Sequence, residues 1–333
     1  MSHPFSTGCL PMTAPRRAAL ERAAENAVSM PDYLWERQGD MPVIKWDANF
    51  DRWLDRRIAL AERYASYNFC LFPWEIFRAI PPKSRRGEIF AWDQGPLPSC
   101  SMHSAAHAYQ CALLTSIALG APLFYESFNP IYPFYGARGG NLSGGLDLWT
   151  AADWVNRQGL LPVSVVGEDN RHIRPECLGR MEEGAKWQGA IVLIEDHFAE
   201  KIFRACRALC PVSFGSGKFY TRSRIDENGI KVMDGITSGG HAQCFAGWRK
   251  IGGTEYIFNL NSHGDIYGVS DEGEPASGAW ITQKHLRHYT RDMEIYGYPY
   301  LIFGEGEFRR ASALTNEFSP PKYPAGFRRD TNI

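Results

Sequence analysis

Asp93-Gln94-Gly95-Pro96-Leu97-Pro98-Ser99-Cys100 sets an amide side chain six residues before a cysteine at which a helix begins. Ser99 is a good N-cap residue. After it Met102, Ala105 or Ala106, Tyr109, Leu113 and Ile117 recur at helical spacing until Gly120 and Pro122. Cys100 therefore falls in the first turn, where backbone N–H groups and the positive end of the helix dipole favour thiolate over thiol. A lone cysteine is most often buried and structural. The Gly/Pro-rich loop before this one predicts instead an exposed sulfur with a lowered pKa.

A thiolate becomes a catalyst only with a base, a group that orients the base, and donors for a developing oxyanion. Gly239-Gly240-His241-Ala242-Gln243-Cys244-Phe245-Ala246-Gly247-Trp248 places His241 at the start of an apolar, strand-like run. Glu255-Tyr256-Ile257-Phe258-Asn259-Leu260 reads as the neighbouring strand and delivers Asn261 at its end, ahead of Ser262-His263-Gly264-Asp265-Ile266-Tyr267-Gly268. Adjacent strands of this kind bring Asn261 against the ring of His241, where an amide fixes tautomer and orientation.

Together these residues resemble the papain-like cysteine peptidases. Gln94, Cys100, His241 and Asn261 occur in that family's chain order and with its Gln-to-Cys spacing. His241 follows Cys100 by 141 residues and Asn261 by 161, against a family separation of about 130 to 150. Asn-Ser-His-Gly-Asp-Ile-Tyr-Gly is similar to the family's Asn-Ser-Trp-Gly-x-x-Trp-Gly. The likeness spans roughly Trp74 to Phe303 and is nearest to the bacterial and viral branch. That branch carries Asp-Gln-Gly-x-Leu-Gly-Ser-Cys, with Pro98 here at the last glycine, and an aromatic segment ending in Asn-x-Arg, compared with Asn129 to Arg138. In the family a Gly-Gly such as Gly144-Gly145 lies along the cleft, where bare backbone pairs with extended substrate; a tight turn is the equal alternative.

The resemblance implies an α+β, papain-like two-lobed fold, with a helical lobe carrying the nucleophile and an antiparallel β lobe. It implies a peptidase or amidase with a Cys100-His241-Asn261 triad and a Gln94-assisted oxyanion hole, a peptide or protein substrate, no cofactor and no metal. Three departures bear on activity. Leu97 stands where many secreted members have a cysteine, Ser101 replaces the aromatic after the nucleophile, and His263 replaces the Trp that shields the His–Asn bond. The last predicts a more hydrated, less firmly held imidazole. The Ser101 and His263 departures, with the unusual extension and tail, motivate an alternative, a catalytically silent domain serving a larger assembly such as a phage particle. A transamidase or deamidase sharing the acyl-thioenzyme is a third reading.

Hydrophobic residues make up 44% of 333 residues, enough for a large core. With 36 basic against 37 acidic side chains and no basic stripe, a nucleic-acid partner is not expected. No apolar run approaches the ~18 residues of a membrane span, and the first thirty residues lack a signal peptide's apolar core. Eight cysteines without paired spacing then read as mostly reduced thiols, in a cytoplasmic or virion-associated protein.

Periodicity divides the chain into residues 1–85, 86–305 and 306–333. The first is a helical extension, propeptide-like or a docking arm, with helices over Pro15 to Met30 and Phe50 to Tyr67. The second is the papain-like domain, helical from Ser99 to about Arg180 and strand-rich from Gly189. Its strands are expected at Ile191 to Glu195, Val212 to Phe219, Ile230 to Met233, His241 to Trp248, Tyr256 to Leu260 and Tyr298 to Phe303, with a helix at Phe198 to Leu209. The third is an extended tail. Other polar residues read as structural. His103 and His107 have metal-ligand spacing, but Ser104 stands where a zinc peptidase needs glutamate. Cys206 and Cys210 read as core, His285 and His288 as surface, and Gly215-Ser216-Gly217-Lys218 lacks the spacing of a phosphate loop.

Overall fold

A computed structural model describes residues 8–25, 28–29, 43–66, 72–87, 93–118, 124–169, 171–268 and 273–304. The expected tail, 306–333, lies outside the described residues. Period-two alternation builds the centre of the molecule. Ile191 and Leu193 face one hydrophobic cluster while Ala190 and Val192 face another, and Tyr300 and Ile302 oppose Leu301 and Phe303 in the same way. Strands that are apolar on both faces must be covered on both, and here they form the middle of one large sheet.

Across that sheet the strands run Val28–Ser29, Val43–Lys45, Gly189–Leu193, Tyr300–Gly304, Val212–Ile225, Lys231–Ile251, Thr254–Leu260 and Gly278–Thr282. The first two junctions are parallel and the rest antiparallel. The runs expected separately at Ile230 to Met233 and His241 to Trp248 are one strand, which passes through a bulge at Gly239-Gly240 without turning back. The Gly278–Thr282 strand was not anticipated from sequence. It also touches the start of the long strand, pairing Trp280 with Val232.

One face of the sheet carries the helix Cys100–Ala118, which packs on Lys231–Ile251, Tyr300–Gly304 and Val212–Ile225. The same helix touches Pro73–Ala79 and Leu148–Arg157 on its other side. It is buried almost all round, polar residues included, as a helix enclosed by neighbours must be. The opposite face of the sheet is covered by Phe198–Arg207 and Gln283–Thr290, with Ala48–Ser66 docked outside through Arg204 to Asp55 at 2.7 Å and Arg207 to Glu62 at 2.9 Å. The fold is thus the expected α+β arrangement of a helical lobe against a β lobe. Cys206 and Cys210 are buried in the second cluster, as read. His285, expected at the surface, is half-buried: its Nδ1 accepts from the Thr282 backbone N–H at 3.1 Å, and burial lowers its pKa to about 4.

Candidate active site

The loop before Cys100 is shaped by its own polar groups. Gly95 N–H donates to Asp93 Oδ1 at 2.9 Å, Leu97 N–H donates to the Gln94 carbonyl at 3.1 Å, and Gly95 takes φ +55°. Ser99 closes the first turn by accepting from Met102 and His103 through its carbonyl, while its hydroxyl pairs with His103 Nδ1 at 3.2 Å. Buried His103 and His107 have pKa values lowered to about 4 and about 3 by desolvation, which keeps both rings neutral at pH 7.

Gln94 joins this loop to the β lobe. Its backbone N–H donates to the Ser262 carbonyl at 2.8 Å, its Nε2 donates to the Leu97 carbonyl at 2.7 Å, and its Oε1 accepts from the Ser262 hydroxyl. The residue named from sequence as an oxyanion donor is therefore fixed against the residue that follows Asn261.

His241 and Asn261 meet as their strands predict. His241 lies opposite Ser216, and Asn261 leaves the end of the next strand with its N–H on the Ser277 carbonyl at 2.9 Å. Asn261 Oδ1 lies 2.7 Å from His241 Nε2 and also accepts from the Ser262 backbone N–H at 2.7 Å. Because a backbone N–H can only donate, the amide's oxygen must face it, and His241 Nε2 then carries the hydrogen. Nδ1 is left as the basic atom of the ring. Asn261 Nδ2 donates to the Tyr267 hydroxyl at 3.0 Å, which in turn donates to the Tyr220 carbonyl at 2.7 Å. Burial raises the Tyr267 pKa, so the phenol stays a donor.

His263 corrects the expectation of a hydrated pair. Its ring stacks on His241 with centroids 4.3 Å apart and planes 19° apart, and Phe219 packs on both, at 5.1 and 5.8 Å. Exposure is 1% at His241, 0% at Asn261 and 4% at His263. An imidazole stacks on His241 where an indole was expected to be needed, and an antiparallel backbone bridge joins His263 to Asp93.

The sulfur of Cys100 also departs from expectation. It is buried, not exposed. Burial raises its pKa above the ordinary range, and backbone N–H groups of Ala242, next to His241, and of Gly8 partly offset that rise. What covers it is a strap from the N-terminus. Cys9 N–H donates to the Gly240 carbonyl at 3.1 Å, Leu10 N–H to the Leu146 carbonyl at 3.3 Å, Leu146 N–H to the Gly8 carbonyl at 2.9 Å, and Met12 N–H to the Ile295 carbonyl at 2.8 Å. The strap continues into Ala14–Glu25, whose Arg16 pairs with buried Asp147. Ser101, in place of an aromatic, donates to the same Leu146 carbonyl at 2.7 Å.

The contacts are close enough to require glycine. A Cβ on Gly145 would stand 1.8 Å from the Gly8 carbonyl oxygen, and one on Gly8 would stand 2.0 Å from that of Pro98. Gly145 thus lies against the strap. Gly144 does not; it turns the chain at φ +73° beside Arg138. Sequence reading missed Leu146 and Gly240, which act through backbone atoms that any side chain would supply, and the strap itself. The Gly8-Cys9-Leu10 stretch has no periodicity to mark it.

Among the described residues no group of histidines, cysteines and carboxylates is arranged to hold a metal, and no helix is long and apolar enough to cross a membrane. No family model matches the chain, and no curated protein matches it. Solved structures of similar outline include a digestive procathepsin L 3 of Tenebrio molitor larval midgut, 14% identical, with TM-score 0.41 over 64% of this chain and 66% of that one. Xylellain, a cysteine protease from Xylella fastidiosa, is 14% identical with TM-score 0.43 over 68% and 84%. A Carica candamarcensis cysteine protease in complex with E-64 is 17% identical with TM-score 0.44 over 69% and 96%. These structural neighbours are papain-like cysteine proteases, and the likeness is one of chain outline.

Proposed function

We propose that the chain is a papain-like cysteine hydrolase of peptide or protein amides, held latent by its own N-terminal strap. The observation that carries this reading is the His241 Nε2 to Asn261 Oδ1 contact at 2.7 Å, on a strand whose next residue, Ala242, faces the Cys100 sulfur. Cys100 thiolate attacks the amide carbon. The negative charge moves to the carbonyl oxygen, which takes hydrogen bonds from the Cys100 backbone N–H and Gln94 Nε2. His241 Nδ1 gives its proton to the leaving amine, then takes one from the water that hydrolyses the thioester. Asn261 holds the ring plane and tautomer throughout.

The strap fits an inhibitor better than a substrate. Attack needs a carbonyl carbon at the sulfur with its oxygen on the oxyanion donors, but the Gly8 carbonyl is committed to Leu146 N–H, and it is the Gly8 N–H that faces sulfur. A tethered segment competes at high effective concentration, so modest contacts suffice to close the cleft. This assigns a propeptide-like role to the front of residues 1–85.

The test is hydrolysis of a mixed fluorogenic peptide-amide library by the full chain and by Gly8→Val, with Cys100→Ala as control. Turnover that rises in Gly8→Val and vanishes in Cys100→Ala supports the reading. The silent-domain alternative is favoured by the buried sulfur, and it is the outcome if folded Gly8→Val neither turns over substrate nor reacts with iodoacetamide at Cys100.

A further inference from the structure

The stack of His263 on His241 has a consequence that a neutral aromatic ring would not. Two imidazoles 4.3 Å apart and nearly parallel, both buried, cannot both hold a proton at little cost. Resting on the hydrolase reading above, we propose that His263 is a positioning residue for His241 that also sets the pH window in which the imidazolium–thiolate pair exists. Its ring holds the plane of His241 toward Asn261 while neutral. When it takes a proton, the positive charge against His241 drives that ring's proton off to solvent or onto the Cys100 sulfur, and the pair is lost.

Among the described residues, several groups beside the two rings are neutral. His103, from the Cys100–Ala118 helix, interacts with His263 and is itself kept neutral by burial. Phe219, from the Val212–Ile225 strand, presents an apolar ring to both imidazoles. Asp93 brings a carboxylate to this side, bridged to His263 through the backbone and paired with Arg171 at 2.6 Å. Tyr267, beyond Asn261, remains a neutral phenol. Across the lobe junction stands Cys100, the partner of the pair.

Coupled titration is visible in the unmodified protein. The experiment follows the histidine ring signals of the full-length chain by NMR across pH 4 to 9, with His241 assigned by its loss in His241→Asn. His241 and His263 are expected to share two inflections. In His263→Phe, or in His263→Trp should the first fail to fold, the His241 midpoint should rise on the order of one pH unit. With the strap opened by Gly8→Val, the acid limb of Cys100 labelling by iodoacetamide should move to lower pH when His263→Phe is added, widening the window. Independent single-step titrations in the wild type, or an unmoved His241 midpoint in a folded variant, would overturn the proposal. Failure of Cys100 to label at any pH in folded Gly8→Val, with the NMR coupling intact, sinks the hydrolase reading instead.

Discussion

The two walls of the site are built by different rules. On the β side, His241, Asn261, Ser262 and Tyr267 are joined by hydrogen bonds within one sheet and the loop that follows it, so the imidazole and the amide hold each other in place independently of the strap. On the helical side, Cys100 has its place fixed by the helix start, but its environment is set by a segment from elsewhere in the chain. Orientation is thus intrinsic and reactivity conditional. A helix N-terminus lowers a thiol pKa where solvent reaches the sulfur; beneath the strap, desolvation outweighs it.

Substitutions can break this contrast wall by wall. Cys100→Ala should lower amide turnover by on the order of 10⁴-fold or more, with an unchanged circular dichroism spectrum; residual turnover at the wild-type rate would remove Cys100 from the mechanism. On the opposite wall, Asn261→Ala should lower kcat by about 10²-fold with little change in KM, since it frees the ring without altering peptide contacts. A strap variant acts in the other direction. Gly8→Val loses about two hydrogen bonds of about 1 kcal/mol each, so Cys100 labelling at pH 7 should rise about 30-fold.

The same variant tests the pKa argument. Burial raises the Cys100 pKa, so thiolate forms at higher pH in the closed protein. Releasing the strap removes that cause, and the midpoint of labelling against pH must move down. An upward or absent shift means the sulfur is buried by the lobes themselves. The smallest effect is expected for Tyr267→Phe, which deletes a donor to Tyr220 and an acceptor for Asn261. It should cost about 1–2 kcal/mol of stability in denaturant titration while leaving the strap in place.

Local signals made much of this legible. The Cys100 helix was readable from its cap and apolar spacing, and the His241 and Asn261 strands from their apolar runs, because those patterns are set within a dozen residues. The join of two expected strands into Lys231–Ile251 was not, since the glycines that signal a turn locally are taken up in a bulge, with the strand paired to Val212–Ile225 on either side of it. The Gly278–Thr282 strand exists through its pairing with Thr254–Leu260, and its own residues give a weak signal. His285 looked like a surface residue until the Thr282 N–H beside it was accounted for.

The sequence by itself determined which thiol, imidazole and side-chain amides are the candidates proposed as nucleophile, base, orienter and oxyanion donor, because residue chemistry and chain order are covalent properties. Only the tertiary structure decided how those groups are solvated. Whether the sulfur meets water or the Gly8 backbone, and whether His263 exposes or covers the His241 bond, depends on segments brought together from opposite ends of the chain. Desolvation is a property of that assembly, and no local pattern encodes it.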